Sequence, residues 1–134
     1  MIGLDTNVLV RYFTEDDPSQ TPAALRVMDS LTADAPGFLS LVVIVEVVWV
    51  LEVSYRFKKS ELERVLETLL RSKELVVERA EIVWQALRKF GAGNADFADC
   101  LIERSCHAAE CEYTVTFDRK AAGAGMRLLK SEVG

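Results

Sequence analysis

From Leu41 to Leu51 the chain reads Leu-Val-Val-Ile-Val-Glu-Val-Val-Trp-Val-Leu, one carboxylate with five apolar residues on each side. The apolar character continues to about Phe57, which is too long for one strand and predicts a buried helix. A fold that covers such a helix needs a sizeable core. The 134 residues, half of them hydrophobic, suffice for one domain over residues 1–134. The run carries Glu46 and Glu52 and is too short and too acidic to span a membrane. Burying Glu46 costs several kcal/mol, on the order of a desolvated charge, unless it is paired or ligates a cation. Arg11 is one candidate partner, and a polar stripe on an otherwise buried helix is the other ordinary explanation.

Short apolar runs alternate with helical patterns along the rest of the chain. Met1–Leu4 reads as a buried strand closing on Asp5, and Thr6–Phe13 as one or two helical turns. Asp17-Pro18 and Thr21-Pro22 are both helix-start signals for a helix reaching about Leu31. A turn at Ala35-Pro36-Gly37 precedes a short strand over Phe38–Ser40. Ser60-Glu61-Leu62-Glu63 has the capping-box pattern, with Leu62, Leu66, Leu69 and Leu70 following at helical spacing. Leu75–Val77 is a further strand. Ile82, Val83, Ala86, Leu87 and Phe90 mark a helix stopped by Gly91-Ala92-Gly93. The next helix opens at Asn94 or Ala95, runs to about Cys111, and shows Phe97, Leu101, Ile102 and Cys106 as its apolar face. Tyr113–Phe117 and Met126–Leu129 are the last two strands. This order predicts an α/β three-layer domain with a short, mainly parallel central sheet flanked by helices.

Ligands of such sheets bind beyond the carboxyl ends of the strands, where Asp5 and Asp118 both fall. Asp96 and Asp99 stand three apart and project from one side of a helix's first turn. The helix dipole explains an acid at Asp96 without function, and Asp5 or Asp118 can each be an ordinary cap or turn residue. Asp99 is harder to explain away, because Phe97, Ala98, Cys100, Leu101 and Ile102 surround it. Four or five acids thus sit at strand ends or in apolar helices, whereas runs such as Glu61–Glu67 are plainly solvated. Hard oxygen donors gathered in one place suit Mg²⁺ or Mn²⁺, which activate water for in-line displacement at phosphate.

Charge and composition narrow the classes. The chain has 16 Lys+Arg, 21 Asp+Glu and a net charge of −5, so no strong overall positive field coats nucleic acid. Setting aside Asp5, Glu46, Asp96, Asp99 and Asp118 leaves 16 of the 21 acids, equal to the basic residues. The excess is the size of the proposed site. One His excludes two-histidine acid–base catalysis within the chain. Cys100, Cys106 and Cys111 lack zinc spacing and suit reduced thiols in a cytoplasm. No secretory leader is read at the N-terminus, where an acid follows at once. Arg119 and Lys120, just after Asp118, are better placed for phosphate than Arg56, Lys58 and Lys59, which read as a solvated helix end.

Leu4-Asp5-Thr6-Asn7-Val8-Leu9, Glu46 with Trp49-Val50-Leu51, Asp96-Phe97-Ala98-Asp99 and Thr116-Phe117-Asp118 resemble the PIN-domain ribonucleases. Among these they most resemble the VapC toxins of toxin–antitoxin pairs. The match covers nearly the whole chain in the family's order. The resemblance implies a metal-dependent endoribonuclease with Asp5, Glu46, Asp99 and Asp118 as its catalytic and metal-binding acids. Asp96 matches an acid of the D-F-A-D variant of the motif. Thr6, Asn7 and Thr116 match polar positions that support the acids. Also implied are an RNA substrate, a homodimer and a cognate antitoxin that blocks the site and carries any DNA binding.

Two other classes stay open on the residues. A phosphatase or receiver-type site lacks support, since Asp5-Thr6-Asn7 has no second acid of a D-x-D motif and no partnered Lys is evident. A PIN-like domain that binds RNA or a partner without cutting differs from a nuclease only in turnover. Cleavage of total RNA with Mg²⁺ or Mn²⁺, beside an Asp99→Asn control, separates all three.

Overall fold

Gly37 is where the first sheet closes. A Cβ there would stand 2.7 Å from Leu4 Cδ1 and 3.0 Å from Leu31 Cδ1, so glycine lets these leucines pack against the strand without shifting. The computed structural model describes residues 1–132, which fall into two compact units divided after Ala80.

The first unit contains β1 (Ile2–Gly3), α1 (Thr6–Thr14), α2 (Gln20–Ser30), β2 (Gly37–Leu39), α3 (Leu41–Val53), α4 (Lys59–Arg71) and β3 (Leu75–Val77). Its strands form a three-stranded sheet in the order β1-β2-β3, parallel throughout, with Ile2 opposite Gly37 and Gly37 opposite Leu75. Parallel neighbours require crossovers, and the helix pairs α1–α2 and α3–α4 supply them. Leu9, Leu39, Ile44, Val47, Leu51 and Leu66 are fully buried. Truncating one of them to Ala costs about 2–5 kcal/mol.

Local signals set most helix ends. Asp17 Oδ1 accepts the backbone N–H groups of Ser19 and Gln20 at 2.9 and 2.8 Å, so the Asp17-Pro18 signal is the one that starts α2. Ser40 caps α3 through Val43 N, and Glu78 Oε1 accepts Leu41 N at 2.8 Å. Glu61 Oε1 accepts Lys58 N at 2.8 Å, so α4 starts before the Ser60 that its capping-box pattern suggests. Leu62, Leu66 and Leu69 are buried, so this face belongs to the core.

The second unit holds α5 (Ala80–Ala92) from its second residue onward, then α6 (Phe97–Ala108), β4 (Val115–Thr116), α7 (Arg119–Ala122) and β5 (Arg127–Leu128). Phe90 of α5 meets Phe97 of α6 edge to face, with ring centroids 6.0 Å apart. β4 and β5 pair in parallel, Val115 opposite Arg127. Lys89 bonds Glu103 at 2.7 Å and also the carbonyl of Ala124, tying α5 to α6 and to the turn before β5. That turn contains Gly125, whose φ of +102° favours glycine.

The fold class expected from the sequence, α/β with a short parallel sheet, is what the chain adopts. Three details differ. The strands form a three-stranded sheet and a separate pair, because β4 and β5 take each other as partners across α7. The apolar run is not a helix buried all round: it ends at Val53, and Val42, Trp49 and Val53 are exposed. At 3.6 residues per turn, positions 42, 46, 49 and 53 share one side, while 43, 44, 47, 48 and 51 take the core. Ile102, expected on the apolar face of α6, is also exposed, and Cys100 takes the buried position.

Candidate active site

In the first unit, Asp5 follows β1 and occupies the N-cap of α1. Its Oδ1 accepts the backbone N–H of Thr6 at 2.8 Å. Thr6 is buried, and its hydroxyl donates to Glu46 Oε1 at 2.8 Å. One residue therefore orients two acids that are 41 positions apart in sequence. Glu46 itself is exposed on the open side of α3, so the desolvation argument for it fails. What holds its carboxylate is Thr6. Arg11, the candidate ion-pair partner, faces elsewhere: it bonds Gln20 Oε1 at 2.8 Å, the Tyr55 hydroxyl at 3.0 Å and Asp16 Oδ1 at 3.4 Å. Asn7 is exposed and lines, with Arg11, Gln20 and Ala24, an open cleft between α1 and α2.

In the second unit, Asp96 is the N-cap of α6, yet its side chain makes no capping bond and is exposed. Asp99 lies in the first turn, half-buried. Asp118 ends the β4 segment as the N-cap of α7, with Oδ1 accepting Lys120 N at 2.9 Å. Its own N–H donates to Thr116 Oγ1 at 3.0 Å, so Thr116 sets the backbone that presents the carboxylate. Burial pushes the Asp99 carboxyl above its ordinary range, and the nearby charges of Asp96 and Asp118 push it further. Three acids of the second unit thus meet electrostatically. Arg119 and Lys120 follow on α7 with both side chains exposed.

The chemistry of this set fits a hard divalent cation. The donors are carboxylate oxygens, and Asp99 is charged only at a cost that a cation would remove. Among the described residues, no three His, Cys, Asp or Glu side chains already stand in ligating array. Cys100 is buried, Cys106 half-buried and Cys111 exposed, all as free thiols. Sequence reading missed a different cluster, in which Glu103 accepts from Arg104 and Lys89. Neither the spacing of Lys89 nor its composition marks it as a partner for α6. Among the described residues, no helix is long and apolar enough to cross a membrane.

The model of the PIN domain family matches residues 2–125. The chain belongs to the PIN domain family. Among particular relatives, it is 23% identical over 125 residues to the VapC ribonuclease of Aquifex aeolicus (strain VF5), covering 92% of each chain.

Proposed function

We propose that this chain, as one domain over residues 1–134, is a divalent-metal-dependent endoribonuclease acting as the toxin of a toxin–antitoxin pair in the cytoplasm. Asp5, Glu46, Asp99 and Asp118 are its catalytic carboxylates, with Asp96 as a further metal donor. The observation that carries this reading is the match of the PIN domain family's model to residues 2–125, which span all five of these acids. The Aquifex relative, a ribonuclease by name, supports the activity. We assign a cognate antitoxin as partner, and a homodimer, on the family resemblance.

Bound Mg²⁺ or Mn²⁺ would lower the pKa of the attacking water and offset the charge that builds on the phosphate. The chain's own residues do the rest. Thr6 fixes Asp5 through its backbone N–H and Glu46 through its hydroxyl, so neither carboxylate must be ordered during the reaction. Thr116 sets the backbone of Asp118. A carboxylate of the set accepts the proton of the water as its oxygen attacks phosphorus. The bond from phosphorus to the 3′ oxygen breaks, and that oxygen takes a proton. The products carry a 5′-phosphate and a 3′-hydroxyl. Asn7 supports the acids, and Arg119 and Lys120 contact the RNA backbone.

The test is incubation of purified protein with total RNA and Mg²⁺ or Mn²⁺, beside Asp99→Asn and excess chelator. Cleavage that needs both Asp99 and the ion is expected. Full cleavage in chelator removes the metal mechanism. Binding without cleavage by the intact protein would make it a non-cutting RNA-binding domain.

A further inference from the structure

Helix α6 ends in a tight backbone wrap. The Glu110 N–H donates to the His107 carbonyl at 3.0 Å, and the Cys111 N–H donates to the Cys106 carbonyl at 3.0 Å. Glu110 has a φ of 66°, in the left-handed region. Two nested bonds around one left-handed residue are the Schellman arrangement, which satisfies helix carbonyls that lack intrahelical partners. Glycine is the usual occupant of the left-handed position, so a glutamate holds it at some cost. The arrangement also brings two particular side chains together, those of the residues joined by the outer bond. Here both are cysteines, Cys106 and Cys111, and both are free thiols.

The outer bond limits how far apart the two residues stand. With ordinary backbone bond lengths on either side of that 3.0 Å contact, their Cα atoms are at most about 6.9 Å apart when every bond is aligned, and closer as the bonds bend. A disulfide spans Cα atoms about 4.4–6.8 Å apart. Bridging them therefore asks for side-chain rotation on a backbone already in place. Cys100 does not compete for Cys106. Six residues of the same helix separate the two by about 9 Å of rise, and Cys100 is buried. Exposure orders the two thiols: Cys111 is open to solvent and Cys106 is half-buried behind it in the chain's wrap.

We propose that Cys106 and Cys111 are a site of reversible covalent modification, oxidised by hydrogen peroxide to a disulfide that locks the turn at the end of α6. The exposed Cys111 sulfur attacks one peroxide oxygen, the O–O bond breaks, and a sulfenic acid and one water result. The Cys106 sulfur then attacks the Cys111 sulfur. The S–S bond forms as the S–O bond breaks, and the hydroxyl leaves with the Cys106 proton as a second water. Two thiols lose two hydrogens and two electrons, and one peroxide is reduced to two waters. The bridge closes the turn through which α6, the helix of Asp99, leads towards β4 and Asp118. None of the candidate acids takes part, so the site stands whether or not the chain cuts RNA.

The test treats the reduced full chain with hydrogen peroxide, alkylates the remaining thiols with iodoacetamide in urea, and maps the tryptic peptides by mass. Cleavage after Arg104 and Arg119 leaves both thiols in one peptide, residues 105–119, and Cys100 in another. The expected product is that peptide unalkylated and two hydrogens lighter than its reduced form, at a rate independent of protein concentration. Dithiothreitol restores both thiols. Cys106→Ser stops the reaction at a Cys111 sulfenic acid, which dimedone captures. Equilibrated with glutathione, the pair is oxidised about tenfold or more readily in the native chain than in urea, because the fold has already closed a loop that the unfolded chain must close. By the same linkage, the oxidised chain melts at a higher temperature than the reduced one.

Equal oxidation in the native and unfolded chains overturns the proposal, since the fold then contributes nothing to the bridge. A sulfinic acid at Cys111, or a disulfide between two chains, with Cys106 still open to iodoacetamide, overturns it as well. The two thiols would then be the ordinary apolar contact of a helix end. An oxidised chain that melts below the reduced one would show that the turn does not present the sulfurs to each other.

Discussion

Asp99 and Glu103 stand one helical turn apart on α6, and their surroundings drive their carboxyls in opposite directions. Glu103 accepts from Arg104 Nε at 2.7 Å and Nη2 at 3.0 Å, and from Lys89 Nζ at 2.7 Å. The Arg104 fork, then Lys89, hold it down at about 2 despite burial. Asp99 is raised, because it meets burial and the charges of Asp96 and Asp118. The same helix thus carries a structural acid whose charge is satisfied and an acid whose charge is not. Such crowded charge costs stability in the absence of a cation, which is the cost expected at the metal site proposed for Asp99.

The comparison is broken most severely if Asp99 proves dispensable. Asp99→Asn should lower RNA cleavage by about a hundredfold or more, as removal of a group acting in the transition state does. Glu103→Gln should leave the rate within about twofold. A rate assay on both variants decides this, and equal losses would show that the two acids do not differ in kind.

Stability should rank them the other way. Glu103→Gln strips Lys89 and Arg104 of a charged partner and should cost about 1–2 kcal/mol in urea unfolding, the range for charge-assisted bonds at a partly exposed site. That loss should depend on pH with a defined sign. A carboxyl held near 2 against an ordinary 4.5 contributes fully above pH 4.5, and the contribution disappears as pH falls through about 2. Unfolding of wild type and Glu103→Gln should therefore converge between pH 4.5 and 2. A constant difference over that window would deny Glu103 its ion pairs.

Asp99→Asn should stabilise the apo protein, raising Tm by about 1–3 °C, because it removes a crowded charge. A fall in Tm would mean that Asp99 has an unsuspected structural partner. The smallest effect concerns Arg119 and Lys120. Neutralising both to Gln should weaken RNA binding and flatten the slope of log K against log salt by up to about 1.4, at ~0.7 per phosphate contact on a single strand.

Much of this was legible in the sequence, for reasons that differ by residue. Asp5 and Asp118 were readable as acids at strand ends, since each follows a short β-forming run and precedes a helix. The helical leucines of α4 and the apolar positions of α5 declared their buried faces by spacing. Glu46 stands out in the sequence for a reason the structure does not support. Its apolar neighbours predict a buried charge, yet it sits on the exposed side of α3 and is held by Thr6. Composition reports how apolar a helix is, whereas tertiary packing decides which side is covered. Arg11 was a candidate partner for Glu46 by charge alone, and the geometry of α1 and α2 gave it to Gln20, Asp16 and Tyr55 instead.

By itself, the sequence determined what short-range physics controls: the alternation of strand and helix, the caps, and the leucine faces of the helices. Those depend on side-chain period and on backbone groups a few residues apart. Only the tertiary structure decided the long-range pairings: Thr6 with Glu46 forty residues on, Lys89 with Glu103, and Arg127 stacked on Tyr113. Each joins separate elements whose approach is set by packing, and no local pattern encodes which charge or ring will be found there. The acids of the proposed site are therefore visible in the sequence, while the groups that hold Asp5 and Glu46 in place are set by the tertiary structure.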